Sequence, residues 1–446
     1  MAIRRFITLF SALSLMVACS EGSNGENPSP TPPDAEEGKV TFSDVTADYE
    51  PSSERSQKRG VSFNLVNLED IELMGDKISW YYNWGPNASY APADEALTAK
   101  GVDFFPMAWN GNFSAQAIRS YKESHPDCEY ILGFNEPNLT DQARMTPTQA
   151  AEAWVPLREL AQELGMKIIA PAMNYGTLSG YSDPIKWLDE FFQLVPISDV
   201  AGIAIHCYMV SAQSMKSYVQ RFYKYDLPIW MTEFCAWEQN IGDPAAQMRY
   251  MSEALHYLEA DPNVERYAWF MPRGVPEEQY PHYALLTNKK PYSLTNLGVA
   301  FLNFPILGNT TSYNVGDVIP AEGYFATHAD SSAETSEWVK TPYVRPTQDE
   351  GGVLDIYGFL KGHWLDYHLD LDSAASRLYL RYAAYIDSEI TISAGKKAYT
   401  IALPATGDDN IYKTAILTCD IAASAERLRI ENMKGNVTLN WIMLRK

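Results

Sequence analysis

Between residues 60 and 303, short apolar runs alternate with longer stretches of mixed polarity. The runs are GVSFNL (60–65), KISWYYNW (77–84), VDFFPMAW (102–109), EYILGFN (129–135), KIIAPAMN (167–174), VAGIAIHCYM (200–209), LPIWMTEF (227–234) and VERYAWFMP (264–272). Each is nearly continuous in apolar side chains rather than alternating, as expected of strands buried on both faces of a parallel sheet. Between several of them lie amphipathic segments. TPTQAAEAWVPLRELAQEL (146–164) and DPAAQMRYMSEALHYLEA (243–260) open on Thr-Pro and Asp-Pro, a capping side chain followed by proline at the first helical position. LTNLGVAFLNF (294–304) supplies a closing helix. Eight strands with crossover helices predict an α/β fold, a (β/α)8 TIM barrel over residues 58–307. The rival is a doubly wound open sheet, but the chain carries no GxGxxG or GxxxxGK[ST] phosphate loop.

Past residue 317 the period changes to two. In HWLDYHLDLD (363–372), Leu365, Tyr367, Leu369 and Leu371 share one face, and Trp364, Asp366, His368 and Asp370 share the other. RLYLRYAAY (377–385), SEITIS (388–393), RLRIENM (427–433) and VTLNWIML (437–444) follow the same rule, separated by turns such as TGDDN (406–410). This predicts an all-β sandwich, jelly-roll-like, over residues 315–446, with the break near GNTTSYNVGDV (308–318).

The N-terminus reads differently again. Arg4 and Arg5 precede an apolar stretch, Phe6 to Ala18, too short to remain as a membrane-spanning helix. It ends in LMVAC (15–19), which resembles a bacterial lipoprotein signal and implies a lipidated Cys19. The expected location is a lipid anchor at the bacterial outer membrane, facing the periplasm or the cell surface. Residues 20–57 are rich in Ser, Pro and acid, and read as a tether with too little apolar surface to fold. The remaining cysteines, at 128, 207, 235 and 419, have no zinc-type spacing, and no disulfide is expected among them.

Composition narrows the partners. A formal charge of −21 argues against nucleic acid, whose phosphates call for clustered Lys and Arg. With 11 Trp and 28 Tyr, the chain has rings to spare for stacking on sugars as well as for its core. A monomer is expected, and no organic cofactor or catalytic metal is implied.

Two strings carry the chemistry. GFNEPN (133–138) and IWMTEF (229–234) each set one glutamate, Glu136 or Glu233, directly after a predicted strand, the fourth and the seventh. In a barrel the strand C-termini build the active site, whereas Glu129 and Glu265 at strand starts read as structural. Two carboxylates facing each other across a cleft are the minimum equipment for cleaving a glycosidic bond.

Asn-Glu after strand four and Glu after strand seven resembles clan A glycoside hydrolases. That resemblance implies a retaining mechanism, with Glu136 as acid and then base, its pKa raised, and Glu233 as nucleophile. It also implies that Asn135 bonds the sugar 2-hydroxyl. WYYNWG (80–85), FFPMAWNG (104–111), ILGFNEPN (131–138), AIHCYM (204–209) and WMTEF (230–234) together resemble glycoside hydrolase family 128. Membership implies endo-acting cleavage of laminarin- or curdlan-type β-1,3-glucans. Trp84, Trp109 and Trp269 end strands two, three and eight at the height of sugar platforms, with Tyr82, Asn83, Asn110 and Tyr208 at the same level. His206 either orients Glu233 or touches substrate. Trp237 and Glu238 follow strand seven in a loop.

The C-terminal region resembles a family 6 carbohydrate-binding module. That resemblance implies a possible structural calcium near Glu322, although Asn440 stands where an aspartate is common. Tyr357, Trp364, Trp338 and Trp441 are its candidate sugar-binding rings. The expected activity is therefore a retaining endo-β-1,3-glucanase. The alternatives are a clan A glucanase of β-1,4 or mixed linkage and a non-catalytic glycan-binding lipoprotein.

Overall fold

The structure is a computed structural model that describes residues 34–47, 55–237, 241, 243–274, 282–307, 311–327 and 343–446. The leader with Cys19, most of the tether, Glu238 and Trp338 lie outside the described residues. In chain order the elements begin with β1 (Glu36–Glu37), β2 (Lys39–Ser43), β3 (Arg59–Ser62), α1 (Leu68–Met74), β4 (Trp80–Tyr82), α2 (Ala91–Ala99), β5 (Asp103–Phe104) and α3 (Ala115–Ser124). They continue with β6 (Tyr130–Leu132), α4 (Pro147–Leu164), β7 (Lys167–Ile169), α5 (Pro184–Leu194), β8 (Ile203–Cys207), α6 (Ala212–Gln220), β9 (Ile229–Phe234), α7 (Pro244–Ala260), β10 (Val264–Trp269) and α8 (Asn296–Asn303).

The strands β5, β4, β3, β10, β9 and β8 form one parallel sheet in that order, and β6 pairs with β7. Isolated parallel bridges join the two sets, Met107 with Leu132 on one side and Ile169 with Gly202 and Met173 with Ile205 on the other. Pairing thus passes through all eight strands in sequence order and returns from β10 to β3. Several regular strands end earlier than the apolar runs predict. Pro106 and Pro171 offer no N–H to the ladder, so the chain above β5 and β7 continues only as single bridges. The helix starts follow the expected chemistry. Thr146 forms a reciprocal capping box with Gln149, and the Asp243 side chain accepts the Ala246 N–H at 2.8 Å.

At the N-terminal end of the strands lies a buried ion pair. Arg59 Nη2 donates to Glu259 at 3.1 Å, and its guanidinium also donates to the carbonyls of Leu302 and Phe304 at 2.8 and 2.7 Å. The same side chain donates to the Tyr267 hydroxyl at 3.0 Å, and Ser56 bonds the second Glu259 oxygen at 2.9 Å. This network ties β3, α7, β10 and the end of α8 together, far from the strand C-termini.

The C-terminal region forms two largely antiparallel sheets. One contains Trp364–His368, Ser388–Ala394, Lys397–Leu403 and Arg427–Lys434; the other contains Leu354–Leu360, Ala375–Ala383, Tyr412–Ile421 and Asn436–Arg445. Leu365, Tyr367, Leu369 and Leu371 are all buried, as their period-two spacing requires. One expectation fails here. Part of the segment read as tether is built into this domain, with β1 pairing to Lys397–Leu403 and β2 to Tyr412–Ile421. An edge strand needs backbone pairing more than apolar side chains, and β2 indeed leaves Lys39, Thr41 and Phe42 exposed.

The two regions dock. Val344 donates its N–H to Ser252 Oγ of α7 at 3.0 Å, and Arg249 lies 4.8 Å from the Tyr343 ring centroid. His256, one turn along α7, stacks on Tyr324 and bonds the Phe325 carbonyl oxygen at 3.0 Å.

Candidate active site

Glu136 and Glu233 follow from the way β6 and β9 end. Gly133 lets β6 lie against β7, since a Cβ there would sit 2.6 Å from the Ile169 carbonyl oxygen. Three residues on, Glu136 has a φ of 44°, in the left-handed region that costs a non-glycine residue about 1–3 kcal/mol. The turn is pinned on both sides. The Glu136 N–H donates to Ala172 O at 3.0 Å and the Asn135 N–H to Trp109 O at 2.9 Å. Glu233 instead lies within β9, its Cα in register with His206 of β8.

The two carboxylates converge on His206. Its Nδ1 is 2.9 Å from Glu136 Oε1 and 3.4 Å from Glu233 Oε2, and the ring is fully buried. Glu136 Oε1 also accepts from Asn174 Nδ2 at 3.0 Å, while no described residue bonds its Oε2. Glu233 is held as a pure acceptor: Oε1 takes the Tyr82 hydroxyl at 2.8 Å and Trp84 Nε1 at 2.6 Å, and Oε2 takes the Tyr208 hydroxyl. Burial resists charging His206, but Glu233 and then Glu136 outweigh it and hold its pKa above 6.5. Burial and the adjacent Glu233 push both the Tyr82 and Tyr208 hydroxyls well above 10, so they stay protonated donors. One carboxylate is thus fully engaged and the other half engaged, both within reach of one imidazole nitrogen.

Residues 60–301, more than half of the chain, match the family model described as "Glycosyl hydrolase catalytic core". Over 57% of this chain and all of the other, the fold matches an endo-β-1,3-glucanase of family GH128, subgroup II, from Pseudomonas viridiflava, with 35% identity and a TM-score of 0.53. The chain belongs to glycoside hydrolase family 128. A second subgroup II endo-β-1,3-glucanase of family 128, from Sorangium cellulosum, is 31% identical over 56% of this chain and 98% of its own, with a TM-score of 0.49. Alkali-sensitive linkage protein 1 of Schizosaccharomyces pombe is 28% identical over 222 residues, which are 48% of this chain and 36% of that protein. The chain therefore spans about a third of the length of this curated relative. Residues 342–444 match the model described as "Carbohydrate binding module (family 35)". This differs from the family 6 resemblance expected from the sequence.

The family 128 domain places the remaining expected residues unevenly. Tyr82, Trp84, His206 and Tyr208 meet at the two glutamates. Tyr82 is fully buried, so it holds Glu233 rather than facing a ligand. Asn135 is buried, its amide nitrogen on Gln142 at 3.1 Å and its Oδ1 without a partner among the described residues. Trp109 and Asn110 are half-buried above β5, Asn110 accepting the Asn112 N–H at 2.9 Å. Asn83 braces its own loop through Asn87 O and Ser89 Oγ, and contacts neither glutamate. Trp269 is not a platform. It is fully buried, packs against Phe234 and Phe301, and donates Nε1 to Tyr283 O at 2.8 Å. Its position at the end of a strand gave the height correctly but not the direction in which the ring points.

Two features escaped the sequence reading. Asn174, at the end of the fifth apolar run, holds Glu136; its place at a strand terminus was a signal that could have found it. Phe270 lies within 6 Å of Trp84, Tyr208 and Trp237, gathering four half-buried rings into an aromatic wall beside Glu233. In the C-terminal domain Trp441 is core, Trp364 lies under Arg429 at 3.9 Å, and Tyr357 lies under Arg345 at 4.0 Å. Glu322 has a buried, unpartnered Oε2, but its acidic neighbour Asp355 is committed to Arg345 and Tyr412. Among the described residues no group of three or more His, Cys, Asp or Glu side chains is arranged to hold a metal ion. That donor set does not fit calcium, which takes six to eight oxygens.

Proposed function

We propose that the chain is a retaining endo-β-1,3-glucanase that works at the mouth of a (β/α)8 barrel. The observation that carries this reading is the shared imidazole. With legs of 2.9 and 3.4 Å to one nitrogen, the two facing carboxylate oxygens lie no farther apart than about 6.3 Å, which favours the close pair of carboxyl groups, about 5–5.5 Å apart, that retaining enzymes use. The donors divide the roles. Glu233, fixed by three hydrogen bonds, attacks the anomeric carbon and breaks the glycosidic bond, giving a covalent glycosyl-enzyme. Glu136 delivers a proton from Oε2 to the departing oxygen, then takes one from the water that hydrolyses the ester. His206 stays against whichever carboxylate carries the charge as it shifts between the two. The β-1,3 linkage and endo mode are supported by the 35% identical Pseudomonas viridiflava enzyme. The C-terminal domain would hold the same polysaccharide near the cleft. Lipid on Cys19 would anchor the chain at the outer membrane.

Product analysis on laminarin and curdlan tests this reading. Wild type should release a ladder of β-1,3-linked oligosaccharides with initial β configuration, and Glu233→Ala and Glu136→Ala should lose at least about 100-fold in rate. Glucose as sole product would make the enzyme exo-acting, α-configured first product would make it inverting, and unchanged turnover by Glu233→Ala would remove the mechanism.

A further inference from the structure

The mechanism leaves one side of the cleft without an assigned contact for the sugar that departs. Trp84, Tyr208, Trp237 and Phe270 all gather at Glu233, the nucleophile. On the other side, the chain that leaves β7 passes through Asn174, which donates to Glu136, and then presents Tyr175. This tyrosine is 46% exposed, yet it is braced from several directions. Its N–H donates to Asn174 Oδ1 at 2.8 Å, tying its backbone to the residue that holds the acid. Its hydroxyl accepts from Arg221 Nη1 at 3.1 Å, and Arg221 is itself clamped on both oxygens of Asp183 at 2.7 and 2.9 Å. Its ring packs at 5.3 Å against Tyr218, which is fully buried and bonds Met173 O at 3.0 Å.

An exposed tyrosine normally explores several rotamers. Here a guanidinium, an aromatic ring and a backbone bond fix it, while nearly half its surface is left to solvent. A fixed aromatic face costs little conformational entropy when a ligand stacks on it. Its position supplies the ligand. The acid protonates the oxygen that leaves, so the residues built around Glu136 face the leaving-group side of the scissile bond, as those around Glu233 face the sugar that is attacked. We propose that Tyr175 is the stacking platform for the first glucosyl residue on the leaving-group side, positioned by Arg221 and Asp183. The inference rests on the retaining assignment of Glu136 and Glu233 above.

The test compares two substrates. Laminarihexaose must place sugar on the leaving-group side, whereas β-laminaribiosyl fluoride departs as a fluoride ion and places none. Tyr175→Ala should lower kcat/KM on laminarihexaose by about tenfold while leaving the fluoride within about twofold, the scale expected of one aromatic stacking contact. Tyr175→Phe keeps the ring and should recover most of the loss. Turnover of the fluoride by each variant also shows that its site is folded. Equal losses on both substrates would place the defect at the attacked sugar or in the fold, and would overturn the platform. Because the fluoride needs no proton from Glu136, the pH profile on laminarihexaose separates the last alternative: an alkaline limb shifted in Tyr175→Ala would mean that Tyr175 acts through Asn174 on the acid, and would overturn the platform too. A Phe variant no better than Ala would overturn it as well. A wild type that hydrolyses neither substrate would fail at the earlier step, removing the glucanase reading and the platform with it.

Discussion

Replacing Glu259 by glutamine separates stability from catalysis in this fold. Arg59 and Glu259 are both almost wholly buried, with side-chain exposures of 2% and 1%. Glutamine keeps the shape and removes the negative charge, leaving the guanidinium buried without its counter-ion. Breaking one partner of a buried pair costs about 3–5 kcal/mol. The Leu302 and Phe304 carbonyls still accept from Arg59, which places the loss near the lower end, about 3 kcal/mol. In a domain of this size that corresponds to a fall in Tm on the order of 10 °C, readable by differential scanning calorimetry. Because the pair lies at the N-terminal end of the strands, glucan cleavage at 25 °C should be unchanged. A double replacement, Arg59→Met with Glu259→Leu, should be less damaging than Glu259→Gln alone, since it removes the charge that was stranded. A Tm shift under about 2 °C would show that the carbonyls alone satisfy Arg59, and loss of activity without loss of Tm would refute the division between the two ends of the barrel.

Two titrations give further checks. His206 has a folded pKa above its ordinary 6.5, so its contribution to stability is full below pH 6.5 and is lost as pH rises through the folded value. The Tm gap between wild type and His206→Asn should therefore narrow on going from about pH 6 to about pH 9, and a gap that widens would contradict the shared-imidazole geometry. Glu322 runs the other way from a paired acid. Burial, and then Asp355, raise its pKa to about 8, so the folded chain binds this proton more tightly than the unfolded one, and stability falls as pH climbs from 4.5 to 8. Glu322→Gln should raise stability at pH 8 by up to about 4 kcal/mol and leave it little changed at pH 4, whereas a destabilised variant whose Tm no longer responds to calcium would restore the cation site.

How much of this could be seen in the sequence differed by type of residue. The eight apolar runs located all eight strands, and Glu136 and Glu233 followed because the C-terminal ends of the strands build the active-site face of such a fold. Strand ends also carried Tyr82, Trp84, His206 and Tyr208 to the site, though their hydrogen bonds to Glu233 and Glu136 depend on side-chain direction across strands that are distant in sequence. Direction is also what misled the reading of Trp269. Its ring turns inward because Phe234 and Phe301 leave it a slot there and the Tyr283 carbonyl accepts its N–H. Tyr175 gave no signal, since its significance comes from Arg221 and Asp183, each brought to it by a different helix or helix start.

The least legible element was the segment before the barrel. Residues 36–43 read as tether because their side chains are polar, yet they complete the edges of both C-terminal sheets. From residue 36 the chain therefore passes along the C-terminal domain, builds the other, and returns. Its crossing point is Gly38, whose N–H donates to Thr400 O at 2.8 Å. A Cβ on Gly38 would lie 2.5 Å from Ile401 of one sheet and 2.9 Å from Leu417 of the other. Gly38→Val forces these two contacts apart, and overpacking of this kind costs about 1–3 kcal/mol. That strain falls on two short edge strands held by little else, so it should open them locally rather than unfold the domain. Amide exchange over residues 39–43 should accelerate by about 5- to 150-fold, and proteolysis should cut within 34–47, with glucan cleavage by the barrel unaltered. Unchanged protection in the variant would mean that β1 and β2 do not complete the edges of the two sheets, and the composition would have been right to call this segment a tether.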